Sequence, residues 1–175
     1  YLYRHGHDIT CIVGHITANP SFDLTDVKYC QSPTKMLESC LSLASSEDPP
    51  QAWIHEAAVL DYYPIPEVGK KSSGVDEWNI KLITGPKHIP KLSPLVNGTI
   101  RIGFKLESNV SNEKLIENAS KLLNNYNLNA VIGNIKEHVQ DENLPRGIMV
   151  LPDGITKILQ NNLDMCSNIE SIISN

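Results

Sequence analysis

The sequence lacks most of the signatures that assign a function at sight. Its four cysteines, Cys11, Cys30, Cys40 and Cys166, form no CxxC pair, so the usual spacing of a zinc site is missing. It has no GxGxxG and no P-loop GxxxxGK sequence, the two glycine patterns that cradle nucleotide phosphates. It has no excess of positive charge: 15 basic residues face 20 acidic ones, for a net charge of -5. An acidic chain leaves no electrostatic footprint for nucleic acid, and no nucleic-acid partner is expected. No apolar run approaches the roughly 18 residues that span a bilayer, which predicts no membrane partner. The opening Tyr-Leu-Tyr-Arg-His-Gly-His is not the apolar core of a secretory leader. A cytoplasmic protein with reduced, structural thiols is the expectation. The three Asn-x-Ser/Thr sequons at Asn97, Asn109 and Asn118 then read as chance matches.

What is present is ordinary globular composition, 41% hydrophobic and 20% charged over 175 residues, enough for one domain with a sizeable core. Strand-like and helix-like periods alternate. Strands are predicted at Asp8–Gly14, Asp26–Cys30, Ala52–Leu60 (a central one), Trp78–Ile83, Thr99–Leu106 and Ala130–Ile132. Helices are predicted after Ser32-Pro33, with Met36, Leu37, Cys40, Leu41 and Leu43 as the apolar stripe, and over Pro86–Val96. A further helix follows Ser111, with Leu115, Ile116, Ala119, Leu122 and Leu123 turned inward, and Leu163–Ile173 closes the chain. Ser45–Gln51 breaks the pattern at Pro49-Pro50. Pro152-Asp153-Gly154 between Ile148–Leu151 and Ile155–Leu159 reads as a hairpin turn. This order predicts a Rossmann-like, three-layer α/β domain over 1–175, with a mainly parallel sheet, crossover helices and a C-terminal hairpin. Tyr1–His7 reads as the last turn of a helix stopped by Gly6. The first strand and Gly-rich turn that open a doubly wound sheet are not in the sequence, and the expectation is that the start is missing.

Four segments carry candidate chemistry. His55-Glu56-Ala57-Ala58-Val59-Leu60-Asp61-Tyr62 ends a strand on an acidic residue, the place where open α/β sheets hold ligands; a plain loop aspartate is the competing account. Gly69-Lys70-Lys71-Ser72-Ser73-Gly74 joins glycines, hydroxyls and ammonium groups in a long aperiodic stretch, 62–76. It suits a loop closing on phosphates, or a merely solvated basic loop. In Arg101-Ile102-Gly103-Phe104-Lys105-Leu106-Glu107, Phe104 either lies against a base or belongs to the core. Val131-Ile132-Gly133-Asn134 puts an amide at a strand end. The six histidines form no metal or catalytic constellation, and His55 reads as a hydrogen-bonded core residue.

Together these segments resemble the phosphopantothenate–cysteine ligases of coenzyme A biosynthesis. The shared features are A-A-V-x-D-Y at Ala57–Tyr62, K-x-S-S-G at Lys70–Gly74 and G-F-K-L-E at Gly103–Glu107. Pro86-Lys87, Leu92-Ser93-Pro94-Leu95-Val96, Ala119-Ser120-Lys121 and Asn134-Ile135 continue the pattern in register. The K-x-S-S and F-K-L-E forms are closer to the monofunctional branch than to the bacterial fusion with a flavin decarboxylase. The resemblance implies an enzyme that activates 4′-phosphopantothenate with ATP or CTP and Mg²⁺, releases pyrophosphate, and passes the acyl group to cysteine, as a homodimer. It implies Lys70 as the catalytic cation and Asp61, Lys70, Pro86, Phe104 and Lys121 on the nucleotide. Ala57, Ala58 and Asn134 would lie on the substrate; the metal ligands are unknown. The family's N-x-S-S-G segment is absent, and Gly133 stands where alanine is usual. Two rivals are a noncatalytic nucleotide-binding module of the same shape and a dinucleotide oxidoreductase, the latter disfavoured by the missing GxGxxG.

Overall fold

The computed structural model describes residues 1–15, 26–65, 69, 74, 77–139 and 141–175. A 3₁₀ turn at Leu2–His5 is stopped by Gly6 at φ 86°, a left-handed conformation that glycine adopts without strain. Strands β1 (Thr10–Val13) and β2 (Asp26–Tyr29) form a parallel pair. Helix α1 (Pro33–Ala44) begins as the sequence predicts: the Ser32 side chain accepts from the Lys35 amide and proline occupies the first turn.

The main sheet has the order β3-β6-β7-β8-β9. Its members are β3 (Ala52–His55), β6 (Ile100–Glu107), β7 (Ala130–Ile135), β8 (Gly147–Val150) and β9 (Thr156–Leu159). The first three run parallel, and β8 and β9 return antiparallel as the predicted C-terminal hairpin. Helix α3 (Asn112–Tyr126), capped by Ser111, covers one face by packing Ala119 and Leu123 on Val131 and Val150. Helix α5 (Asn162–Ile173), capped by Asn161, covers the other, where Ile169 meets Ile102, Ile132, Met149 and Leu159. The result is the expected three-layer α/β arrangement, because alternating side chains of a strand buried on both faces need a helix on each.

Three expectations are corrected. The strand over Ala52–Leu60 stops at His55 and lies at the edge of the five-stranded sheet. Its register with β6 ends at His55 opposite Gly103, and most of Glu56–Leu60 is exposed. Second, the stretch 62–76 is not loop throughout. Tyr62–Pro64 (β4) pairs antiparallel with Leu82–Thr84 (β5) in a separate ribbon, so the strand expected at Trp78–Ile83 is shorter and shifted toward Thr84. Here the ladder is made by a partner about 20 residues away, which no local period reports. Third, the helix over Pro86–Val96 is a single short element, α2 (His88–Leu92), followed by turns that bury Val96.

The β1–β2 pair and the five-stranded sheet are not hydrogen-bonded to each other. Helix α1 packs near both, touching β1 and placing Leu37 in a cluster with Trp53 of β3.

Gly133 fits its surroundings. A Cβ there would come within 2.9 Å of Leu115 Cγ and 3.1 Å of its methyls, so the buried Leu115 fills the room that an alanine methyl would take.

Candidate functional site

Strands β3, β6 and β7 share one direction, so their carboxyl ends define one edge, the place where open α/β sheets bind ligands. The chain leaves β3 through Ala57 and Ala58, both exposed, and reaches Asp61. There the Gly85 amide donates to the Asp61 carbonyl at 2.7 Å. A Cβ on Gly85 would collide with the Leu60 carbonyl, so only glycine allows the two segments to approach this closely.

The Asp61 carboxylate pairs with the Lys87 ammonium. That hydrogen bond, the Lys87 charge and, more weakly, Lys105 hold its carboxyl below the usual range although the residue is exposed, and Lys87 is raised in return. Pro86, half-buried, fixes the backbone just before Lys87. On β6, Phe104 is partly buried against the cluster of Ile102, Ile132, Met149 and Leu159. The next residue pair is polar: Lys105 Nζ lies 3.2 Å from Glu107 Oε1, which also accepts from Asn118 Nδ2 at 2.8 Å. At the end of β7, Asn134 is 8% exposed, and its Nδ2 donates to the Arg146 carbonyl at 2.7 Å. Arg146 in turn donates to the Val139 carbonyl at 2.6 Å, anchoring the segment that follows β7.

Asp61, Pro86 and Lys87 are thus brought together, with Lys105 close enough to act on Asp61. Lys121 stands on the exposed face of α3, its ammonium 2.5 Å from Glu117 Oε1. Glu117 also takes Lys114 at 2.9 Å, and its carboxyl falls to about 2, the hydrogen bond from Lys121 being the main cause. Reaching a ligand requires Lys121 to leave that pair, which costs little at an exposed site. Lys70, with Lys71, Ser72 and Ser73, lies outside the described residues. The sequence reading did not single out Lys87 as a site residue: 26 positions separate it from Asp61, and no period links them. Gly85 went unnoticed for the same reason, while Lys105 and Glu107 fall in the quoted 101–107 segment without a role of their own.

Among the described residues no three His, Cys, Asp or Glu side chains gather as a metal site. His55, expected as a hydrogen-bonded core residue, is half-buried, and its Nε2 finds no hydrogen-bond partner among the described residues. Burial first, then the nearby His88 and Arg101, push it down to about 4, so its imidazole is neutral at pH 7.

The family described as DNA/pantothenate metabolism flavoprotein C-terminal domain matches residues 1–157. The chain belongs to this family. A curated relative, the coenzyme A biosynthesis bifunctional protein CoaBC of Methanocaldococcus jannaschii, is 36% identical over 100 residues, 57% of this chain and 24% of that protein. The chain therefore matches less than a quarter of that relative, and the relative's bifunctional name lends no support to the expected monofunctional branch.

Solved structures agree with the family on fold. The DNA/pantothenate metabolism flavoprotein from Streptococcus pneumoniae superposes with a TM-score of 0.81 at 18% identity, covering 97% of this chain and 83% of that one. The C-terminal domain of a CoaBC gives 0.69 at 20% identity, covering 98% and 76%. A Cab2 mutant in complex with phosphopantothenate-cysteine gives 0.56 at 19% identity, covering 85% and 52%. At these identities the likeness concerns the α/β fold.

Proposed function

We propose that this chain carries out phosphopantothenate–cysteine ligation in coenzyme A biosynthesis. The observation that carries the reading is family membership over residues 1–157. The CoaBC relative and the Cab2 structure with phosphopantothenate-cysteine support it. In this reading the carboxylate of 4′-phosphopantothenate attacks the α-phosphorus of ATP or CTP, pyrophosphate leaves, and an acyl-nucleotide forms. The cysteine amine then attacks the acyl carbon, and the nucleoside monophosphate departs.

The residues at the strand edge suit these steps. Asp61, an ionised acceptor held by Lys87, binds hydroxyl or amine groups of the nucleotide, with Pro86 beside it and Phe104 toward the base. Lys70 and Lys121 supply cations to the phosphates, Lys70 acting where negative charge grows in the transition state. Ala57 and Ala58 are small enough to let substrate approach the backbone after β3, and Asn134 offers its amide at the end of β7. Mg²⁺ suits a site with few carboxylates, since this ion is commonly held by substrate phosphates and one or two protein oxygens. When bound it would neutralise phosphate charge, with Asp61 and Glu107 among the carboxylates at this edge.

The test is a pyrophosphate-release assay with 4′-phosphopantothenate and Mg²⁺, with ATP or CTP, and with or without cysteine. The expected result is release that depends on phosphopantothenate and differs between the two nucleotides. A folded chain that binds nucleotide and releases no pyrophosphate with either would replace the ligase by the noncatalytic module. Asp61→Asn is expected to weaken nucleotide binding about tenfold, the cost of one charge-assisted hydrogen bond; unchanged affinity by calorimetry removes Asp61 from the site.

A homodimer is part of the same proposal. The β4–β5 ribbon and the residues leading into it expose Tyr62 (61%), Trp78 (62%), Ile80 (55%) and Leu82 (54%), apolar surface of the kind that partners cover. Sedimentation velocity is expected to give twice the 19.4 kDa chain mass, and Trp78→Asp to shift it toward monomer; a monomeric parent ends the dimer reading. The four cysteines are free thiols, in keeping with a cytoplasmic location, which cell fractionation checks.

A further inference from the structure

Three buried side-chain polar atoms lack a hydrogen-bond partner among the described residues: Trp53 Nε1, His55 Nε2 and Arg101 Nε. They belong to one face of two adjacent strands, since Trp53 pairs with Arg101 and His55 with Gly103 in the β3–β6 register. Two of the three, the indole and the guanidinium nitrogens, are donors only, so what this face lacks is an acceptor.

Arg101 is the sharpest case. It is 5% exposed, and no carboxylate of a described residue lies within ion-pair distance of it. Its Nη1 donates to Ser93 Oγ at 3.1 Å and its Nη2 to the Asn127 carbonyl at 2.8 Å, two neutral acceptors for a group with five donors. A buried guanidinium without an anion is costly, because neutral acceptors replace only part of its lost hydration. Two grooves, of about 320 and 300 Å³, share Arg101, Asn97 and Asn127 in their walls. Around them stand Ser93, Asn125, Tyr126 and Asn129, and neither wall contains an acidic residue.

We propose that this paired groove binds a compact oxyanion, a phosphate or carboxylate group, through the Arg101 guanidinium and the surrounding asparagine amides. The planar fork of an arginine matches two oxygens of such an anion, and amide NH₂ groups donate to the rest. The site lies at the beginning of β6, roughly 16 Å along the strand from Leu106 at 3.3 Å per residue. It is therefore distinct from the carboxyl-end edge and rests on no part of the ligase reading.

The test is an ¹⁵N-amide NMR titration of the whole chain at constant ionic strength, held with sodium chloride, using inorganic phosphate in one arm and acetate in the other. The expected result is saturable movement of the Asn97 and Asn125–Asn129 amides with at least one anion. Saturation by phosphate alone, acetate alone or both assigns the group recognised. Arg101→Gln is expected to weaken the response at least tenfold and Arg101→Lys less. Asn125→Asp, on the exposed rim, leaves Arg101 in place and adds a repelling charge, and is expected to weaken it at least fivefold. It decides the matter should the Arg101 variants fail to fold. The response should survive Lys70→Ala, which removes a cation assigned to the nucleotide phosphates and so separates the groove from phosphate binding at that edge. Shifts that never saturate with either anion, or that are equal in the parent and Asn125→Asp, overturn the proposal.

Discussion

A Gly147→Ala chain is expected to melt roughly 2–12 °C below the parent. Gly147 opens β8 in a buried position, paired with Leu159. A Cβ there would stand 2.7 Å from Asn134 Nδ2 and 2.7 Å from the Gly133 carbonyl. The first neighbour could swing away only by giving up its hydrogen bond to the Arg146 carbonyl; the second is backbone and cannot move without parting β7 from β8. Overpacking of this kind costs about 1–3 kcal/mol, and in a chain of this size each kcal/mol moves the melting point by about 2–4 °C. The same displacement disturbs Asn134, so substrate-dependent pyrophosphate release should fall with it. A melting curve within a degree of the parent would mean that the strands separate at no cost, and that Gly147 is not needed for close approach.

Lys70→Ala is expected to cut turnover by about two to three orders of magnitude, the usual cost of removing one group that stabilises transition-state charge. Stability should hardly change, as expected for a lysine in a sequence stretch of glycines, lysines and serines, a composition seldom found in a core. Single-turnover pyrophosphate release isolates the step, and an equal rate in variant and parent would remove Lys70 from catalysis. The pairing of these two variants is informative: one removes stability together with function, the other function alone.

Much of the fold was legible in residues that act locally. Ser32, Ser111 and Asn161 cap their helices through side-chain oxygens; Ser32 and Ser111 could be recognised as caps in the sequence. The apolar runs of β6 and β7 mark strands buried on both faces. The hairpin around Pro152-Asp153-Gly154 followed from turn chemistry, with Asp153 at φ 62°. The early end of β3 was not legible, because Ala57–Leu60 is as apolar as a strand and only the lack of a partner there stops it.

The site divides in the same way. Asn134 stands near the end of β7, as the alternation of strands and helices suggested, whereas Asp61 lies beyond the end of β3 and Phe104 within β6. The sequence by itself therefore determined the α/β class, the caps at Ser32 and Ser111 and the hairpin, since each depends on neighbours a few residues apart. Tertiary structure alone decided that Lys87 meets Asp61, that Gly85 lets their segments touch, that Tyr62–Pro64 pairs with Leu82–Thr84, and that Arg101 is buried with no carboxylate of a described residue beside it. Those four depend on which distant segments come into contact and on how much water is excluded between them, and neither quantity is written in any local pattern of residues.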